Sequence, residues 1–458
     1  MKLIYDVESK PKFGQLIVLA IQQLLAIMAA TLVVPVIIGN GMSPAAALFG
    51  AGVGTIVYTL FTKFKSPVFL GSSFAFLGSM AAAFAGGVSA SLGYLGLILG
   101  AAFAGLVYVV IAIIVKFVGV NWINKLMPAV VIGPTVAIIG LSLAGNAVGD
   151  LQKGGVYNAE GASVANVLLC VLVGIITLIV VTLCSTYGKK TLKLIPFIIG
   201  ILAGYAVAAV FTVIGNAAGI EAMQIINFGH FTALVDGGVT INTFFAVPDF
   251  TFFTAVKGVS EINGAYIGTI AAAYIPVAFV VFAEHIADHK NISSIIERDL
   301  LEKPGLHRTL LGDGVGSMVG AFFGGCPNTT YGESVACVAI TRNASVATIV
   351  AAAIGAILIS FINPFVALVN SIPACVMGGV CMALYGFIAV SGLKMVQKVD
   401  LNENRNLFVA SAILIAGIGG LTLTFGQVTI TSIACALILG ILVNIILSGK
   451  KPENKTEE

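Results

Sequence analysis

Two carboxylates lie in otherwise largely apolar stretches. Glu284 sits in Phe279–His289, FVVFAEHIADH, at the end of an apolar run that starts near Tyr266. Glu333 sits in Pro327–Arg342, PNTTYGESVACVAITR, between two further apolar segments. An ionised acid at bilayer depth costs at least ~2.5 kcal/mol on insertion scales, so such groups face a cavity, a partner or a substrate. Two acids in one cavity, joined by free backbone N–H groups and by the aromatics Phe74 and Tyr331, match a neutral planar ligand with both donors and acceptors. The carboxylates would accept from ring N–H groups, backbone N–H would donate to carbonyl oxygens, and aromatic faces would stack on the ring. An inorganic anion would be repelled by this pair, with no buried Arg or Lys to offset it.

The chain around them reads as membrane protein. It has 458 residues, 59% of them hydrophobic and 9% charged, with a mean hydropathy of +1.07. Soluble domains carry roughly 25% charged residues. The first apolar run follows a charged start (Lys2, Asp6, Glu8, Lys10, Lys12) and is too long for a signal-peptide core, so it is expected to stay. A helical crossing needs about 20 apolar residues. Spans are expected at 14–38, 44–62, 68–86, 92–115, 128–147, 163–185, 194–216, 263–287, 310–325, 327–342, 344–366, 371–392, 406–424 and 428–448. If these fourteen alternate from a cytoplasmic N-terminus, all of the 23 Lys and Arg except Lys153 and Lys257 fall on the cytoplasmic side, as the positive-inside rule requires. Both termini are then cytoplasmic and the tail from Ser448 is polar and disordered. The acidic stretch 217–262 is either an interfacial connector between halves or an ordinary external loop.

The expected fold class is therefore all-α and polytopic, with fourteen segments in two inverted repeats of seven. Met127–Gly133 (MPAVVIG) and Ile372–Gly378 (IPACVMG) open spans five and twelve, seven apart. Spans three and ten both look broken. Ser66–Leu70 runs into the polar Gly71-Ser72-Ser73 before Phe74, and Gly324–Pro327 runs into Asn328-Thr329-Thr330 before Tyr331. Gly and Pro at one such place would be an ordinary kink between packed helices. At two matching places they point to short extended stretches lining a midplane transporter site, with half-helix N-termini aimed into it.

At these residues the sequence resembles the nucleobase–ascorbate transporter family, in its uracil-permease branch, over nearly its whole length. The resemblance rests on Gly71–Phe76 (GSSFAF), Ala283-Glu284-His285, Lys303–Arg308 (KPGLHR), Asn328–Glu333 (NTTYGE) and the closing Thr341-Arg342. It implies a core domain of 1–127 and 263–370 (spans 1–4 and 8–11) and a gate domain of 128–262 and 371–458 (spans 5–7 and 12–14). It further implies proton symport with substrate held between the domains, a homodimer joined through the gates, and residence in a bacterial-type inner membrane. The expected substrate is a nucleobase, uracil first, with xanthine, urate or another purine as the alternative. Glu284, Glu333, Phe74, Tyr331, Gly332 and Ser73 are the implied substrate contacts. Glu333, Glu284 and Asp288 are the candidates for carrying the coupling proton. Two positions depart from the family pattern: Ser334 and Ala336 stand where it usually has Asn and Gly. One branch has His where this chain has Asp288, which removes any histidine-based proton step at that position.

No metal, cofactor, nucleic-acid partner or enzymatic activity is expected. The seven cysteines show no ligand spacing and read as small core residues. An intramembrane metalloenzyme, suggested by His285 and His289 four apart, lacks the Glu that follows the first His in zinc proteases. A channel fits the paired broken helices less well than alternating access does. Asp288 and His289 are expected as a solvated cap at the cytoplasmic end of span eight, His285 as a packing or hydrogen-bonding core residue, and Asp313 as a helix-start cap. Either Gln22 or Gln23 lines the cavity, or neither does.

Overall fold

The structure, a computed structural model, describes residues 3–119, 122, 127–189, 191–425 and 428–448. The tail beyond Ser448, and Lys2, Lys125, Lys190, Lys450, Lys451 and Lys455 among the cations assigned to the cytoplasmic side, lie outside the described residues. Each apolar stretch of the sequence holds at least one helix. In order these are α1 (Phe13–Ile38), α2 (Pro44–Phe61), β1 (Leu70–Ser72), α3 (Leu77–Ala83) and α4 (Ala90–Val118), then α5 (Ala129–Ser142), α6 (Ala144–Leu151), α7 (Val167–Tyr187) and α8 (Pro196–Ala218). The second half gives α9 (Gly264–Ile296), α10 (Leu306–Gly324), β2 (Asn328–Thr330), α11 (Gly332–Thr341), α12 (Val346–Ile359) and α13 (Asn363–Asn370). The chain closes with α14 (Ala374–Val396), α15 (Asn404–Ile418), the hairpin β3 (Leu423–Phe425) and β4 (Val428–Ile430), and α16 (Ser432–Ser448). Among the described residues eight helical stretches are long and apolar enough to cross a membrane, and the remaining apolar helices are shorter.

Glycine sets how closely the helices approach. The α2 and α10 backbones meet along Gly50, Gly54, Gly316 and Gly320, where any Cβ would fall under 3.0 Å from the opposing carbonyl or from the Asn328 side chain. Small residues allow such contact, which is the main source of helix affinity where lipid offers no hydrophobic drive. α10 also packs on α4, α9 on α4, and α12 on α1 and α2. A second set of packed helices joins α14 to α5, α6 and α7, α8 to α7, and α15 to α5 and α16.

Helix α9 runs to Ile296, well past the end expected at residue 287. Polar residues beyond Glu284 do not end it, because the protein supplies partners for them. The N-terminal segment docks on the loop that follows α11. Ile4 donates to Arg342 O, Ala344 to Tyr5 O and Val346 to Val7 O. Arg298, just past α9, grips both carboxylate oxygens of Glu8 at 2.8 Å and also contacts Asp6.

Candidate functional site

Non-helical backbone at membrane depth survives only where its N–H and C=O groups find partners. Here β1 and β2 supply them to each other as an antiparallel pair, Leu70 opposite Thr330, Gly71 opposite Thr329 and Ser72 opposite Asn328. Ser73 N–H extends the ladder to Pro327 O at 2.9 Å. Side chains satisfy the flanking groups. Thr55 Oγ1 accepts from Leu70 N at 2.9 Å and Ser334 Oγ accepts from Phe69 N at 3.0 Å. Asn328 reaches through the glycine seam to Gly50 O. Gly71 is required by the Tyr331 ring, which lies where its Cβ would stand, and the Tyr331 hydroxyl donates to Ser72 O at 2.7 Å. The two broken segments thus cross at one buried point, from which α3 and α11 lead away.

Ser334, one of the departures from the family pattern, therefore anchors the first broken segment through Phe69 and also accepts from buried Gln23. Gln23 is engaged in this bond and does not line the cavity described below.

Helix α9 carries polar residues on two faces, because residues four apart share a face and neighbours do not. Glu284 and Asp288 point towards β2 and α11. Asp288 accepts from Thr330 Oγ1 at 2.7 Å, and its Oδ1 lies 4.0 Å from where a Cβ on Gly332 would stand. His285 and His289 point the other way, fully buried, with their rings stacked 4.0 Å apart. His285 is hydrogen-bonded to Asp313 Oδ2 at 2.6 Å and Thr309 Oγ1 at 2.9 Å. His289 donates from Nδ1 to His285 O, and its Nε2 lies 2.7 Å from the Tyr58 hydroxyl, which also meets Ser66.

Two expectations fail here. Asp313 is no helix-start cap; it lies inside α10, wholly buried, as the partner of His285. Asp288 and His289 form no solvated cap, since α9 continues past them and both have protein partners. In each case a residue on another element, invisible in local sequence, supplies the partner. His285 hydrogen-bonds in the core as expected.

A cavity of about 530 Å³ opens beside the crossing, within the usual range of small-molecule sites, roughly 300–1,000 Å³. Glu284, Glu333, Asp288, Ser73, Phe74, Tyr331 and Gly332 all line it, so the two glutamates converge although 49 positions separate 284 from 333. Glu333 stands in the first turn of α11, where N–H groups lack intrahelical acceptors. Tyr331 lines the cavity while its ring, only 4% exposed, packs on Gly71 and its hydroxyl donates to Ser72 O, which braces the crossing. Phe74 remains half-buried, edge-on to Tyr385 with centroids 6.0 Å apart.

The opposite wall comes from the second helix set and does not stand out in the sequence. It includes Val136 and Ile139 of α5, Phe197 of α8 and a stripe of α14, Leu384, Phe387, Ile388 and Ser391. The stripe has helical spacing, but nothing in that pattern separates a cavity wall from a lipid-facing side. Lys193 and Lys394, both exposed, stand at one end.

The Permease family model matches residues 14–426. The chain is 39% identical to the uracil permease of Bacillus caldolyticus, over 100% of this chain and 98% of that protein. It is 38% identical to the uracil permease of Bacillus subtilis (strain 168), over 95% and 93%. The figure for the uracil permease of Escherichia coli (strain K12) is 35%, over 98% and 95%. Among solved structures it is similar to the transmembrane domain of the cyanobacterium bicarbonate transporter BicA (TM-score 0.62, 14% identity, 96% and 97% covered). It is also similar to SLC26A9 (TM-score 0.64, 10% identity, 96% and 66% covered). At these identities the likeness to the solved structures is one of fold alone.

Proposed function

This multi-pass membrane protein belongs to the permease family, and from that premise we propose that it imports a nucleobase, uracil first, by proton-coupled alternating access. The observation that carries the reading is the convergence of Glu284 and Glu333 on one cavity beside the β1–β2 crossing. Uracil presents two ring N–H groups and two carbonyl oxygens in one plane. Glu284 accepts from a ring N–H, the α11 start around Gly332 and Glu333 offers N–H groups to a carbonyl, and Phe74 gives an aromatic face. The curated relatives named uracil permease support this substrate. The fold is shared with a bicarbonate transporter, but three carboxylates in the cavity oppose an anion.

Glu333 carries the coupling proton, with Glu284 and Asp288 as its close neighbours. A proton bound in this cluster removes a unit of charge that would otherwise have to move through a low-dielectric surrounding with the site. We read the two helix sets as the core (1–127, 263–370) and the gate (128–262, 371–458), with the cavity at their boundary. β1–α3 and β2–α11 are the matching broken segments of a fourteen-span inverted repeat. Both termini are cytoplasmic, Lys193 and Lys394 mark the cytoplasmic mouth, and the gates join two copies into a dimer.

Uptake of labelled uracil into proteoliposomes, in competition with unlabelled uracil, xanthine, guanine and ascorbate, tests the substrate. Uracil competes best; stronger competition by xanthine moves the assignment to purines. Loss of a charge-assisted hydrogen bond costs about 1.5–3 kcal/mol, so Glu284→Gln weakens binding about 10- to 150-fold. Unchanged affinity removes Glu284 from the site. Glu333→Gln abolishes the response to an imposed proton gradient, and uptake that stays fully gradient-driven refutes its role.

A further inference from the structure

A second groove, which shares no lining residue with the cavity, lies on the flank where α4 and α10 part company. The two backbones touch at Gly105 and Gly314, where a Cβ on either would press on the other's carbonyl. Beyond that crossing, towards Lys116 and Arg308, side chains leave a groove of about 360 Å³ with an apolar lining of Phe61, Ala112, Ile113, Phe117 and Leu311. Its rim holds Lys116, His307 and Arg308. Ile113 and Phe117 are exposed on a face of α4 that is apolar along its length. Lys116 lies 5.5 Å from the Phe117 ring centroid, and among the described residues neither Lys116 nor Arg308 forms an ion pair.

We propose that this groove binds one anionic phospholipid, an acyl chain lying in the apolar slot and the headgroup phosphate held by Lys116 and Arg308. The chemistry of the site is amphipathic in the way a lipid is. An apolar trough with exposed Ile113 and Phe117 ends in two cations that form no ion pair among the described residues, and basic pockets between spanning helices select anionic headgroups. A soluble anion would gain nothing from the trough, and a zwitterionic lipid would bring a cation of its own to the rim. Charge complementarity thus selects the occupant. His307 flanks the headgroup and adds a neutral donor.

The purified full chain in detergent, titrated separately with phosphatidylglycerol and phosphatidylcholine and read by native mass spectrometry, tests this. Phosphatidylglycerol is retained preferentially. Each interfacial cation is worth about fivefold in lipid binding, so Lys116→Gln with Arg308→Gln weakens phosphatidylglycerol about thirtyfold and weakens phosphatidylcholine, whose phosphate carries its own choline cation, by clearly less. Ile113→Trp fills the slot without touching either charge and lowers retention of both lipids, which keeps the test decisive if the double variant does not fold. Lys398→Gln, an exposed cation away from the groove, changes nothing. Equal retention of the two lipids, or full retention by the double variant or by Ile113→Trp, overturns the proposal.

Discussion

Gly71→Ala places one methyl group where the crossing of the two broken segments has no room. The new Cβ would lie under 3.0 Å from two Tyr331 ring carbons and 2.9 Å from Thr31 Oγ1. The ring cannot swing away freely, because its hydroxyl is bonded to Ser72 O at 2.7 Å and its backbone N–H to Phe69 O. Overpacking of this kind costs about 1–3 kcal/mol, and losing the Tyr331 bond adds about 1 kcal/mol. Glu333 follows Tyr331 by two residues, so the strain falls on the geometry of the cavity. A penalty of about 2–4 kcal/mol on the binding-ready arrangement corresponds to roughly 30- to 1,000-fold in uracil affinity, and partial relaxation still leaves at least about tenfold. The assay is equilibrium binding of labelled uracil to purified protein, with thermal melting alongside. A double-mutant cycle sharpens it. Tyr331→Ala removes the clashing ring, so Gly71→Ala adds little on that background, whereas on Tyr331→Phe, which keeps the ring but already lacks the hydroxyl bond, the overpacking part of the penalty returns. Wild-type affinity in Gly71→Ala, or penalties that simply add in the Tyr331→Ala double variant, would refute the reasoning.

Three further outcomes are expected. Ser334→Ala leaves Phe69 N–H and the Gln23 amide without their acceptor, costing about 1–3 kcal/mol; a melting temperature equal to wild type would show that water or a rearrangement replaces the hydroxyl. Asp313→Ala strips His285 of a fully buried hydrogen-bond partner and costs about 1–3 kcal/mol, whereas Asp313→Asn keeps a hydrogen bond and costs less; equal melting of the two variants contradicts this. At the surface, the Arg298 guanidinium holds Glu8 below its usual carboxylate range. Because the folded value is lowered, this contribution to docking of the N-terminal segment is present at neutral pH and fades as pH falls through the lowered value. Arg298→Gln therefore raises protease cutting within residues 3–9 at pH 7, and cutting unchanged from wild type would mean the backbone bonds alone hold the segment.

Much of the site was legible in the chain because membrane insertion makes charge expensive. Glu284 and Glu333 stand out against apolar surroundings, and the Gly, Ser and Pro clusters before Phe74 and Tyr331 mark where helices must break. The helix positions follow for the same reason, since backbone groups in lipid leave few alternatives to a helix. What composition and spacing could not supply was pairing across the fold. That β1 and β2 satisfy each other, that Asp313 partners His285, that α9 runs on past Asp288, and that α14 walls the cavity all depend on contacts between residues distant in sequence. A buried Asp reads like a cap, and a cavity-facing apolar stripe like a lipid-facing one, until a neighbouring helix is in place. The sequence alone determined which groups could not remain in hydrocarbon unaided. Tertiary packing decided which partner each one received, because hydrogen bonds and close glycine contacts are selected by three-dimensional proximity, which no local pattern encodes.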